Sequence, residues 1–250
     1  MYNRLLIAIL VTVFLPSIGF SKSDKFISDF VCFDRAYIPA LFLTNMDKLN
    51  PSKKAMENLK TEWASFKGKY YYYEKDDTKW TKDFDKVEES IMLADKIISS
   101  GNKLIEAHEI LENVRYTFLE MRKRNNIDYF IDYLTEFHDP MEHIVLRAKG
   151  KIPKTLKDND IEFLEKSFPE AADKWNALKN AGFNNDIFHF NDERLTNMKD
   201  VIIAETKAMD ALKSALNNKS DKANLIKNAV GIKKNFVLLF ELFGDFKGLE

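Results

Sequence analysis

Residues 104–123, LIEAHEILENVRYTFLEMRK, decide the fold class of this chain. Their apolar side chains recur at spacings of three and four residues, which is the period of an amphipathic α-helix. The stripe consists of Leu104, Ala107, Leu111, Val114, Phe118 and Met121. The next segment, from about 127 to 149, has the same period. Because only Arg124-Asn125-Asn126 links the two, we predict an antiparallel helical hairpin.

Helical spacing continues through nearly the whole chain, and no stretch alternates well enough to be a strand. Further helices are predicted over about 24–46, 50–74, 78–100, 158–180, 192–217 and 220–246, with a loop over 184–190. Pro51 suits the first turn of its helix, whereas Pro169 predicts a kink or a break. The fold class is therefore all-α, an up-down bundle of about eight helices.

The chain divides into two similar halves, 22–125 and 126–250. The segment EWASFK at 62–67 resembles KWNALK at 174–179, and each half provides four helices. Two tandem four-helix bundles or one fused bundle fit this pattern, and an internal duplication is one explanation of it.

The N-terminal residues 1–21 have the layout of a signal peptide. One base, Arg4, precedes the apolar run from Leu5 to Leu15, and Ser21 provides a small residue for cleavage. The run is too short to span a bilayer, which needs about 20 residues, and no later segment is apolar enough. We therefore expect an exported protein, periplasmic or secreted, with no membrane span after cleavage.

Net charge limits the classes of partner expected for the exported chain, and cysteine content limits its disulfides. Without Arg4 the 38 basic residues become 37, against 39 acidic ones, a net charge of −2. This balance gives no reason to expect a nucleic acid or an anionic membrane as a partner. The single cysteine, Cys32, allows no internal disulfide, and its apolar neighbours predict a small buried side chain.

Two His/Glu pairs lie four residues apart on the inner flanks of the predicted hairpin, His108 with Glu112 and His138 with Glu142. With the turn centred on Asn125, His108 faces Glu142 and Glu112 faces His138, about 20–25 Å from the turn. Two imidazoles and two carboxylates at one level are ligands suited to zinc, copper or iron.

Three further side chains complete this predicted metal site. Asp34, on the apolar face of the first helix, is a fifth candidate ligand, and Arg115 and Tyr37 are candidates to hold the carboxylates. The alternative is a metal-free network of buried ion pairs, for example Asp34 with Arg115. Covalent c-type haem is excluded because the chain has no Cys-x-x-Cys-His motif, and a non-covalent haem is disfavoured.

These residues favour a non-enzymatic, exported binding protein that holds a transition metal for capture, buffering or delivery. The alternative is a metal-free helical interaction or scaffold protein, whose partner is another exported protein. An enzyme ranks third, because no nucleophile–base pair and no phosphate-binding loop is recognisable in the sequence.

Overall fold

The computed structural model describes residues 22–249, so the predicted signal peptide lies outside the described residues. Within that range there are nine helices and no strand, which confirms the all-α prediction. They are α1 (Lys22–Asn45), α2 (Leu49–Tyr70), α3 (Trp80–Ser100), α4 (Leu104–Arg124), α5 (Phe130–Ala148), α6 (Asp158–Asn180), α7 (Asn185–Phe188), α8 (Asp192–Asn217) and α9 (Lys222–Glu241). The additional helix, α7, is a single turn inside the predicted loop 184–190.

Helix bounds agree with the prediction at the C-terminal end of α3 and at both ends of α6, and they differ most at the C-terminal end of α9. Helix α3 stops at Gly101, whose φ of 76° gives the left-handed cap that glycine adopts without strain. Helix α6 continues through Pro169 without a break, with Leu164 and Trp175 buried on either side of the proline. Helix α9 ends five residues early, and the chain then turns back onto α1, where the Asp245 amide donates to the Arg35 carbonyl at 2.9 Å.

The long helices pack as two rings of four. Helix α1 packs against α2 and α4, and α3 packs against the same two helices. In the other half, α5 packs against α6 and α9, and α8 packs against those two. The rings touch where α1 meets α7 and α9 and where α4 meets α5. The division of the chain into two units at residues 125 and 126 stays a prediction.

The predicted α4–α5 hairpin forms only in part. The sequential pairs α1–α2, α3–α4, α5–α6 and α8–α9 pack extensively, but α4 and α5 meet over a short stretch, because the main partners of α5 are α6 and α9. The two helices therefore diverge. Residues of α1 and α9 line the space that opens between them.

Aromatic residues dominate the core of the first ring of helices, α1 to α4. There the side chains of Phe30 and Phe118 pack edge to face, with their aromatic centroids 4.7 Å apart. Cys32 lies on the same helix as Phe30 but is exposed, so the prediction that it is buried was wrong. Across residues 22–249, no helix combines the length and the apolar character that a bilayer crossing requires.

Candidate functional site

A cleft of about 740 Å³ lies where the two rings of helices meet, between α1, α4, α5 and α9. Its walls are largely apolar and include Leu41, Phe42, Val145, Phe236, Val237 and Phe240. Three further apolar side chains at its edge, Met46, Leu146 and Val230, are between 37% and 57% exposed. The cleft thus presents an apolar lining that solvent can reach.

The four predicted ligands His108, Glu112, His138 and Glu142 all line this cleft, together with Arg115. Helical spacing placed each His/Glu pair on one face, and the structure brings both faces to the same cavity. Sequence reasoning missed Lys233 on α9 and Tyr116 on α4, because nothing in the local pattern shows which helix packs across from α5.

Five polar side chains form a continuous chain across this cleft. The Arg115 guanidinium forms an ion pair with Glu112 and donates to Nδ1 of His138 at 2.6 Å. Nε2 of His138 lies 2.9 Å from Oε2 of Glu142, and Nζ of Lys233 donates to Oε1 of Glu142 at 2.7 Å. We call this series Glu112–Arg115–His138–Glu142–Lys233 the polar network.

The partners of His138 fix its tautomer. A guanidinium can only donate, so Nδ1 accepts and the single proton of the neutral ring is on Nε2, where it is donated to Glu142. Burial, with Arg115 acting in the same direction, lowers the pKa of His138, so the ring is neutral at neutral pH. The hydrogen bond from His138 holds the pKa of Glu142 below its usual range, and Lys233 contributes in the same direction.

His108 has a different arrangement, although it shows the same spacing to a glutamate. Its Nδ1 lies 2.9 Å from the carbonyl oxygen of Leu41 on α1. Because a carbonyl oxygen only accepts, Nδ1 carries the proton of the neutral ring and Nε2 keeps its lone pair. That nitrogen lies 3.5 Å from Oε1 of Glu112.

Arg115 is 5% exposed, and its guanidinium carbon lies 5.1 Å from the Tyr116 ring centroid and 5.7 Å from that of Phe240. Its Nε is buried and has no hydrogen-bond partner among residues 22–249. A buried guanidinium N–H without an acceptor carries a desolvation cost.

Asp34 and Tyr37 do not line the cleft. The Asp34 carboxylate accepts a 2.6 Å hydrogen bond from Tyr129, and burial raises its pKa to about 7 against the effects of Arg122 and Tyr129. Arg122 in turn pairs with Asp132, so Asp34 belongs to a separate buried cluster. The Tyr37 hydroxyl donates to the Leu111 carbonyl at 2.8 Å and reaches no carboxylate of the cleft.

Within the described residues, no three His, Cys, Asp or Glu side chains converge as a ready-made metal site. The five predicted ligands thus divide into a His108/Glu112 pair, a His138/Glu142 pair engaged by two cations, and a distant Asp34. Comparisons with protein-family models, curated proteins and solved structures find no match.

Proposed function

We propose that this chain is a non-enzymatic binding protein that takes a small amphipathic molecule into the cleft between α1, α4, α5 and α9. The apolar part of the molecule packs against the walls, and its polar part contacts the polar network. We further propose that it works outside the cytoplasm, on the strength of the signal-like segment 1–21 alone.

The observation that carries this proposal is a cleft open to solvent whose lining combines apolar side chains with the polar network. Small-molecule sites are typically cavities of about 300–1,000 Å³ with apolar walls and a few converging polar groups. A cleft of about 740 Å³ with five connected polar side chains fits that description.

The charges of the network define the polar end of the ligand. The carboxylates Glu112 and Glu142 are balanced by Arg115 and Lys233, and His138 is neutral. Because these charges balance within the network, a carbonyl or hydroxyl oxygen suits the polar end of an organic ligand better than a charged group does. Every charged member of the network already has an opposite charge beside it, which suits binding rather than catalysis.

A titration with N-phenyl-1-naphthylamine, a neutral apolar dye that fluoresces when shielded from water, tests this function. We expect saturable binding to the wild type, at least about tenfold weaker binding to Val237→Phe, which narrows the cleft, and no change for Ile203→Phe. Ile203 is a matched control because it is 53% exposed on α8 and does not line the cleft.

Equal dye binding by the wild type and Val237→Phe, or an equal loss in Ile203→Phe, would contradict the proposal. The absence of any saturable binding would also contradict it and would favour the interaction-protein alternative. The exposed edge residues Met46, Leu146 and Val230 would then be the first surface to test for protein contacts.

A further inference from the structure

We propose that His108 and Glu112 form an open, two-residue site for a divalent transition metal, with zinc as the reference ion, on the α4 wall of the cleft. The site lies in the same cavity as the proposed ligand, but the argument for it does not depend on that ligand. It replaces the five-residue set expected from the sequence with a smaller set that is defined by geometry.

The first argument is the orientation of the His108 ring. Metal-binding histidines generally donate one ring N–H to a carbonyl or carboxylate, which fixes the tautomer and directs the other nitrogen to the metal. His108 does this with the Leu41 carbonyl at 2.9 Å, and its Nε2 faces Glu112. Leu41 lies on α1, so a neighbouring helix holds the ring in position.

The second argument is the separation of 3.5 Å between Nε2 of His108 and Oε1 of Glu112. This exceeds the usual length of an N–H···O hydrogen bond, about 2.7–3.2 Å. Two donor atoms bound to zinc at about 2.0–2.1 Å, with a tetrahedral angle between them, lie about 3.4 Å apart. The observed gap therefore matches two adjacent corners of a zinc tetrahedron.

The third argument is that Glu112 is held in place through its other oxygen. Arg115 forms an ion pair with Oε2 and leaves Oε1 directed towards His108. An outer charged partner of this kind orients a carboxylate ligand in a metal site. The side chains of His108 and Glu112 are each 14% exposed, so an ion can enter from the cleft, and water or a bound molecule fills its remaining positions.

His138 is outside this site for a chemical reason. Its Nδ1 lone pair accepts from Arg115 and its Nε2 carries the proton donated to Glu142, so the neutral ring offers no free lone pair. A metal could bind there only after Arg115 or Glu142 had moved.

Isothermal titration of the purified protein with ZnCl2 tests the site. We expect one saturable site per chain in the wild type, weakened at least about tenfold in His108→Ala and in Glu112→Gln. The control His143→Ala should stay within about threefold of the wild type. His143 is on α5 but is exposed and does not line the cleft. Circular dichroism confirms that each variant is folded.

Several results would overturn the proposal. Absence of saturable zinc binding by the wild type would remove the site altogether. An equal loss in His143→Ala would indicate adventitious surface binding, and unchanged zinc affinity in His108→Ala or Glu112→Gln would exclude those two side chains as the ligands. Because the probe is zinc alone, these outcomes are separate from those of the dye titration.

Discussion

Glu205 on α8 provides a sharp test of the packing in the second ring of helices. Its side chain is 0% exposed, and neither carboxylate oxygen makes a well-formed hydrogen bond within residues 22–249. Burial raises its pKa from 4.5 to about 8, with Asn235 on α9 acting in the opposite direction. The carboxyl group is therefore protonated in the folded protein at neutral pH and ionised in the unfolded chain.

The free-energy cost of burying Glu205 follows from its pKa in the folded protein and its pKa in the unfolded chain. A raised pKa in an acidic group means that the folded state binds the extra proton, so stability is lost as the pH rises from about 4.5 towards 8. Keeping Glu205 protonated costs about 1 kcal/mol at pH 5, about 3 at pH 7 and about 4 at pH 8. Glutamine has nearly the same shape and no charge, so Glu205→Gln should remove this pH dependence.

Urea unfolding followed by circular dichroism at pH 5, 6, 7 and 8 measures the effect. The stability advantage of Glu205→Gln over the wild type should widen by about 3 kcal/mol between pH 5 and pH 8. The widening is the diagnostic quantity, because the extra buried N–H of glutamine changes the free energy of unfolding by a similar amount at every pH. Asp210→Asn, an exposed change on the same helix, is the control and should show no trend. Parallel curves for Glu205→Gln and the wild type would refute the reasoning.

Three further predictions concern the rest of the fold. Asp132→Ala leaves the buried guanidinium of Arg122 without its paired carboxylate and should lower the free energy of unfolding by about 3–5 kcal/mol; a loss below about 1 would contradict it. A Cβ at Gly244 would lie 2.7 Å from Phe246 and 2.9 Å from Ile38, whereas one at Gly231, inside α9, would have no neighbour within 4 Å. Gly244→Ala should therefore destabilise by about 1–3 kcal/mol and Gly231→Ala should stabilise by up to about 1, and changes of equal sign in urea unfolding would argue against this packing. The exposed thiol of Cys32 should react with dithionitrobenzoate in the native protein, and labelling only in denaturant would show that it is buried.

Periodicity in the sequence was enough to predict the helices and the faces they bury. The stripe from Leu104 to Met121 is fully within the core, and α6 has the bounds expected for it. The errors fall where tertiary contacts decide the outcome. Helix α9 ends early where the chain turns back onto α1. Cys32 is exposed although its neighbours Val31 and Phe33 are buried, because successive residues of a helix point about 100° apart.

The candidate site shows the same limit at the level of single atoms. His108 and His138 have identical spacing to a glutamate and lie in the same cleft, so the sequence assigns both the same role. The structure separates them through one partner each: a carbonyl from α1 accepts the proton of His108, and a guanidinium from α4 donates to His138. An acceptor beside Nδ1 frees Nε2 for a metal, whereas a donor beside Nδ1 places the proton on Nε2 and occupies both nitrogens. Helical spacing can place an imidazole in a cleft, but the neighbouring helix determines which of its lone pairs is available, and that determines the chemistry.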